Sequence, residues 1–116
     1  MELTITNSKY FREWDNSDNP CCWQIELIGE DIGSILTSNS ILYDDMYEDW
    51  GLGLAWKQDV IEYSIMVTCI DPETAAYNIL FEAFRKRFFV LNRLVQIEET
   101  PYASLIEKFR TLDEGS

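Results

Sequence analysis

Eight consecutive residues, Tyr43-Asp44-Asp45-Met46-Tyr47-Glu48-Asp49-Trp50, set four carboxylates among three aromatics and a methionine. Carboxylates at that density steer a basic partner toward the surface and raise its association rate. Aromatic and methionine side chains are the anchors on which interfaces concentrate their binding energy. Asp59 and Glu62 can extend the same negative field, and Glu30 with Asp31 can join it if their loop folds nearby. The chemistry on offer is protein binding, through Tyr43, Asp44, Asp45, Tyr47, Glu48, Asp49, Trp50, Asp59 and Glu62. A plainer reading of the same stretch is a solvated acidic loop whose aromatics turn inward, Trp50 above all. Both readings stay open at this level.

Other chemistry is sparse. The chain has no histidine, which removes imidazole-based triads and most zinc sites. Serines occur without a G-x-S-x-G elbow. Gly51-Leu52-Gly53 is neither a dinucleotide fingerprint nor a P-loop, and reads as a strand beginning or bulging. The carboxylates of 44–49 lack the D-x-D-x-D-G spacing of a calcium loop. Many glycosidase-style carboxylate pairs are conceivable, and none stands out. The expectation is a binding protein rather than an enzyme, with no cofactor and no metal. Three cysteines, Cys21, Cys22 and Cys69, are an odd number with two adjacent. They form neither a disulfide framework nor a C-x-x-C redox motif, which points to a reducing compartment.

The composition sets the frame for that site. A chain of 116 residues with 47% hydrophobic content suits one folded domain, residues 1–116. Its net charge of -12 repels phosphate, so nucleic acid is not an expected partner. No apolar run nears the roughly 18–20 residues of a membrane span. Met1–Ile5 lacks the basic flank and apolar stretch of a secretory signal, so a cytoplasmic location is expected. The charge is unevenly spread: residues 1–84 carry 16 acids and 3 bases, residues 85–116 carry 5 acids and 6 bases. The acidic field belongs to the first three quarters of the chain.

The elements that must position the site follow from periodicity. Leu52, Leu54 and Trp56, then Ile61, Tyr63, Ile65, Val67 and Cys69, alternate with their neighbours, which predicts an antiparallel pair over 51–70 linked at Lys57-Gln58-Asp59. Cys22–Ile28 reads as a third strand and Leu3–Thr6 as a weaker fourth. Tyr10, Phe11 and Trp14 fit a short helical turn, followed by a polar loop over 15–20. Asp71 as N-cap, Pro72 at the first position and Glu73 in the first turn predict a long helix over Pro72–Leu94. Its expected stripe is Ala76, Ile79, Leu80, Ala83, Phe84, Phe88, Leu91 and Val95, with Arg85, Lys86, Arg87 and Arg93 toward its end. Thr100 and Pro101 open a shorter helix carrying Tyr102, Leu105, Ile106 and Phe109. The fold class expected is α+β: a mostly antiparallel sheet of about four strands, with one long and one short C-terminal helix on one face.

Asp18-Asn19-Pro20-Cys21-Cys22-Trp23, followed by Gln24-Ile25-Glu26-Leu27, resembles the D-N-P-x-W segment that opens a strand in one family of polymorphic-toxin immunity proteins. Asp49-Trp50 before a strand, and Asp71-Pro72-Glu73 opening a helix with Ile79-Leu80 and Phe84, fit the same pattern, so the resemblance covers residues 18–95. The chain departs from it in lacking an upstream Trp-Glu-His segment and in carrying an extra cysteine between Pro20 and Trp23. The resemblance implies a small cytoplasmic protein that binds one bacterial toxin and protects the producing cell, with no catalytic residues. The expected function is thus an immunity protein that occludes the active site of a cognate basic toxin domain, a nuclease by preference, in a 1:1 complex. The alternative is a phage-type nucleic-acid mimic that inhibits a host DNA-binding protein or nuclease.

Overall fold

The computed structural model describes residues 1–15, 22–85 and 93–115. Its architecture is α+β, with a six-stranded antiparallel sheet and two helices. The elements are β1 (Glu2–Thr6), α1 (Glu26–Ser38), β2 (Asp44–Glu48), β3 (Gly51–Gln58), β4 (Ile61–Asp71), β5 (Ala76–Arg85), β6 (Arg93–Val95) and α2 (Ser104–Arg110). The strands lie in the order β1-β5-β4-β3-β2, and β6 pairs β5 beyond the end of β1.

The pair over 51–70 forms as its alternation predicts. Leu52, Leu54 and Trp56 lie opposite Val67, Ile65 and Tyr63, and all six are buried. The link is shorter than expected, Asp59 and Val60 alone, because Lys57 and Gln58 still pair with Glu62 and Ile61. Gly51 opens β3 with φ +147°, and a Cβ there would run into the carbonyl of Val67. That requirement makes the residue a glycine.

The long helix over Pro72–Leu94 is not formed by the described residues. Residues 76–85 are β5, a strand paired on both sides, and 93–95 are β6; residues 86–92 lie outside the described chain. Tyr77, Ile79, Phe81 and Ala83 are buried, which is a period of two. Both the helical and the strand pattern fit this apolar run, and hydrogen bonding to β4 and β1 selects the strand. Asp71-Pro72-Glu73 accordingly turns a hairpin: Asp71 Oδ1 accepts from the Glu73 amide at 3.0 Å, and Ala75 takes φ +53°. An Asx turn and a helix N-cap use the same residue types, which is why the signal misleads.

The strand expected over Cys22–Ile28 is a turn followed by the start of α1. Ile25, Ile28, Ile32 and Leu36 recur at three- and four-residue steps, and all are buried. No side chain caps the helix start. A cap is worth about 1 kcal/mol, whereas each fully buried Ile or Leu contributes on the order of 1.5–3 kcal/mol, so packing outweighs both the missing cap and the β-branched residues. The helix ends with Ser40 at φ +61°, the Ser40 amide donating to Thr37 O and the Ile41 amide to Leu36 O. Those are the two bonds of a Schellman motif, and Leu36 and Ile41 are both buried.

Both helices join the same buried cluster as Leu52, Ile65, Ile79 and Phe81, so they cover one face of the sheet. The longer helix lies in the N-terminal half, not at the C-terminus as expected. The short helix forms where predicted: Thr100 Oγ1 donates to Ile97 O and accepts from the Tyr102 amide, ahead of α2. Trp56 stacks on Tyr63 at 5.2 Å, and Tyr102 stands edge-on to both. The turn near Tyr10 is a single 3-10 turn over Ser8–Tyr10, with Phe11 leaving it and Trp14 beyond it. The loop expected at 15–20 lies, apart from Asp15, outside the described residues. Cys22 is buried, and Cys69 is a free thiol; Cys21 lies outside the described residues.

Candidate functional site

The acidic-aromatic segment folds as an edge strand. All five residues of β2 are exposed, and no strand pairs its outer side among the described residues. Strand alternation then splits the segment between two faces. Asp45 and Tyr47 lie opposite Leu54 and Leu52, on the side of the helices; Asp44, Met46 and Glu48 lie opposite Ala55, Gly53 and Gly51, on the face the helices leave open.

On the helix side, Tyr43 and Tyr47 sit against α1. The Tyr43 hydroxyl lies over Gly33 and the Tyr47 hydroxyl over Gly29, so two glycines one turn apart let the strand approach the helix closely. Burial raises the Tyr47 phenol above its ordinary pKa, with Asp45, Glu26, Glu30 and Tyr43 adding to the effect. Glu30 therefore does join the field of β2. Asp31 does not point into it: it accepts from the Tyr10 hydroxyl at 2.7 Å and pairs with Lys9 at 3.2 Å.

On the open face, register lays out rows across the sheet. Met46, Gly53, Met66, Leu80 and Glu2 form one row; Asp44, Ala55, Ser64 and Glu82 form the next; Lys57, Glu62, Phe84 and Leu94 form a third. Met46 is 62% exposed and Leu94 54%. Trp50, 46% exposed, lies over Gly53, its ring 3.4 Å from where a Cβ would stand. Trp50 is thus a half-exposed indole resting on the sheet. The small side chains of the middle row leave a depression of about 410 Å³ bounded by Asp44, Lys57, Glu62 and Phe84.

The residues singled out from sequence are therefore distributed as follows. Asp44, Glu48 and Glu62 share the open face; Tyr43, Asp45 and Tyr47 share the α1 side; Asp49 and Trp50 form the turn into β3. Asp59 is at the tip of the β3–β4 hairpin, with φ +56°. Along β2, Asp44 and Glu48 are about 14 Å apart at the usual strand rise. Of the open-face residues of β4 and β5, Glu62 was identified from sequence, whereas Met66, Leu80, Glu82 and Phe84 were not. Their signal exists, a period of two through 76–85, but only once that segment is known to be a strand.

The basic cluster expected at the end of a helix is placed differently. Arg85 ends β5 and Arg93 opens β6 directly opposite it, while Lys86 and Arg87 lie outside the described residues. Among the described residues, no three cysteine or carboxylate side chains gather closely enough to hold a metal ion. No helix there is long and apolar enough to cross a membrane.

No protein-family model matches the sequence, and neither a curated protein nor a solved structure matches it. Two elements implied by the immunity-protein resemblance also differ: the segment reaching Trp23 leads into a helix rather than a strand, and Asp71-Pro72-Glu73 leads into a strand rather than a helix.

Proposed function

We propose that this chain is a binding protein that neutralises a basic protein partner, acting as the immunity factor for a toxin domain of nuclease type. The observation that carries the reading is β2 and its turn, where Asp44, Asp45, Glu48 and Asp49 surround exposed Met46, Tyr47 and Trp50. It rests on this surface and not on the sequence resemblance. Carboxylates at the rim steer a cationic partner, and the apolar side chains between them supply the desolvated contacts that hold it. A standard interface would bury on the order of 1,600 Å² in total, which such a sheet face with its edge strand can accommodate.

The partner is found by capture on the tagged chain from its native organism, with identification by mass spectrometry. The expected partner is basic, and equimolar chain abolishes its enzymatic activity. Changing Asp44, Asp45, Glu48 and Asp49 together to amides should slow association and flatten its dependence on salt. A captured protein whose activity the chain leaves intact, or an association rate indifferent to the four amides, overturns the reading.

A further inference from the structure

The open face of the sheet is amphipathic in an unusual sense. In a one-sided antiparallel sheet the outward positions are ordinarily polar. Here Met46, Met66, Leu80, Phe84 and Leu94 occupy outward positions of four different strands. The charged groups at outward positions of the same face, among the described residues, are Glu2, Asp44, Glu48, Glu62 and Glu82 against Lys57. Among the described residues, the face therefore carries five carboxylates and one ammonium around an apolar centre, a charge balance that favours a cationic occupant.

The depression over Ala55 and Ser64 sharpens the choice. Its floor is small because those two residues lie directly opposite each other, and its rim brings Asp44 and Glu62 to the same hollow as the Phe84 ring. A guanidinium satisfies both kinds of wall at once: it stacks on an aromatic face and donates paired hydrogen bonds to a carboxylate. An ammonium is more strongly hydrated and makes only point contacts.

We infer that the open sheet face is the docking surface for the basic partner, and that an arginine side chain of that partner enters the hollow to pair with Asp44 beside Phe84. This deepens the function proposed above by naming the face and the anchoring residue. Lys57, on the rim, opposes the incoming charge and tempers the affinity.

The test needs no partner in hand. Full-length ¹⁵N-labelled protein is titrated at low ionic strength with N-acetyl-arginine amide and, separately, N-acetyl-lysine amide. The arginine derivative should give saturable amide shifts centred on Ala55, Ser64 and Phe84, and bind more tightly than the lysine derivative. Asp44→Asn and Phe84→Leu should each weaken binding by about three- to fivefold, and Lys57→Met should strengthen it. The dispersion of the remaining amides shows whether each variant is folded. Shifts centred on Glu26, Glu30 and Asp45 beside α1, or equal binding in wild type and Asp44→Asn, overturn the inference. So does a captured partner that Phe84→Leu and Asp44→Asn inhibit as well as wild type, although the function itself would then stand. If instead arginine binds in the hollow while no captured protein is inhibited, the docking chemistry stands and the immunity reading falls.

Discussion

Tyr47 stands directly over Gly29. A Cβ on Gly29 would lie 2.9 Å from the Tyr47 hydroxyl oxygen and 2.8 Å from Leu52 Cδ2. The edge strand carrying the acidic segment is held against α1 by this absence of a side chain. Alanine at position 29 improves helix propensity by about 1 kcal/mol, but it must displace Leu52, a fully buried core residue. Overpacking costs about 1–3 kcal/mol, so Gly29→Ala should be destabilising in chemical denaturation. Gly33→Ala meets only the far end of the half-buried Tyr43 ring, which can swing outward. It should be neutral or stabilising. The opposite order of the two variants would refute the packing described.

Ser40 ends α1 in the left-handed region, where a side chain is strained. Ser40→Gly keeps both bonds of the helix end, since they use only backbone groups. A gain of about 0.5–1 kcal/mol is expected, seen as a higher urea midpoint with an unchanged slope. A loss would mean that the serine side chain holds the helix end.

Tyr77 is buried, and its hydroxyl donates to Gln24 O at 2.8 Å, tying β5 to the turn before α1. Burial, with a smaller contribution from Cys69, pushes its phenol up to about 12. Burial and the hydrogen bond to Asp31 raise Tyr10 as well. An unfolded phenol ionises near 10, so the folded state holds these protons where the unfolded chain loses them. Their contribution is complete below pH 10 and is lost as pH rises through 12. Tyr77→Phe should cost about 1 kcal/mol at neutral pH and make the fall in stability above pH 10 shallower. An alkaline limb unchanged in the variant would locate the titration elsewhere.

Trp56 is buried between Tyr63, Phe81 and Tyr102, yet its Nε1 has no hydrogen-bond partner among the described residues. An unsatisfied buried donor costs about 1–3 kcal/mol. Trp56→Phe removes that donor and leaves a cavity whose cost is of similar size. The two effects oppose, so the variant should fall within about 1 kcal/mol of wild type in thermal or urea denaturation. A loss near that of a large-to-alanine change would mean that packing dominates and the indole N–H has found a partner.

The hairpin of β3 and β4 was legible in the sequence because Leu52 to Cys69 alternate strictly, with one face destined for the core. The short α2 was legible because Leu105, Ile106 and Phe109 leave no competing period. α1 was hidden by isoleucines, whose β-branching suggests a strand while their spacing at 25, 28, 32 and 36 fits a helix. The candidate site was legible as a composition, acids among aromatics, but not as a geometry. Nothing in Tyr43–Trp50 itself says that Tyr43 and Tyr47 lean on two glycines of α1 while Asp44, Met46 and Glu48 face the other way.

The sequence by itself determined the charge of the molecule, its concentration in the first 84 residues, and the presence of one apolar face in 51–70. Those are sums and short periods, and they do not depend on distant partners. Only the tertiary structure decided that 76–85 is a strand, because its apolar run satisfies two periods and the choice lies in hydrogen bonds to β1 and β4, far apart in sequence. With that choice, Leu80, Glu82 and Phe84 come to the open face beside Met46 and Asp44. The acidic segment thereby becomes one border of a surface that spans the sheet.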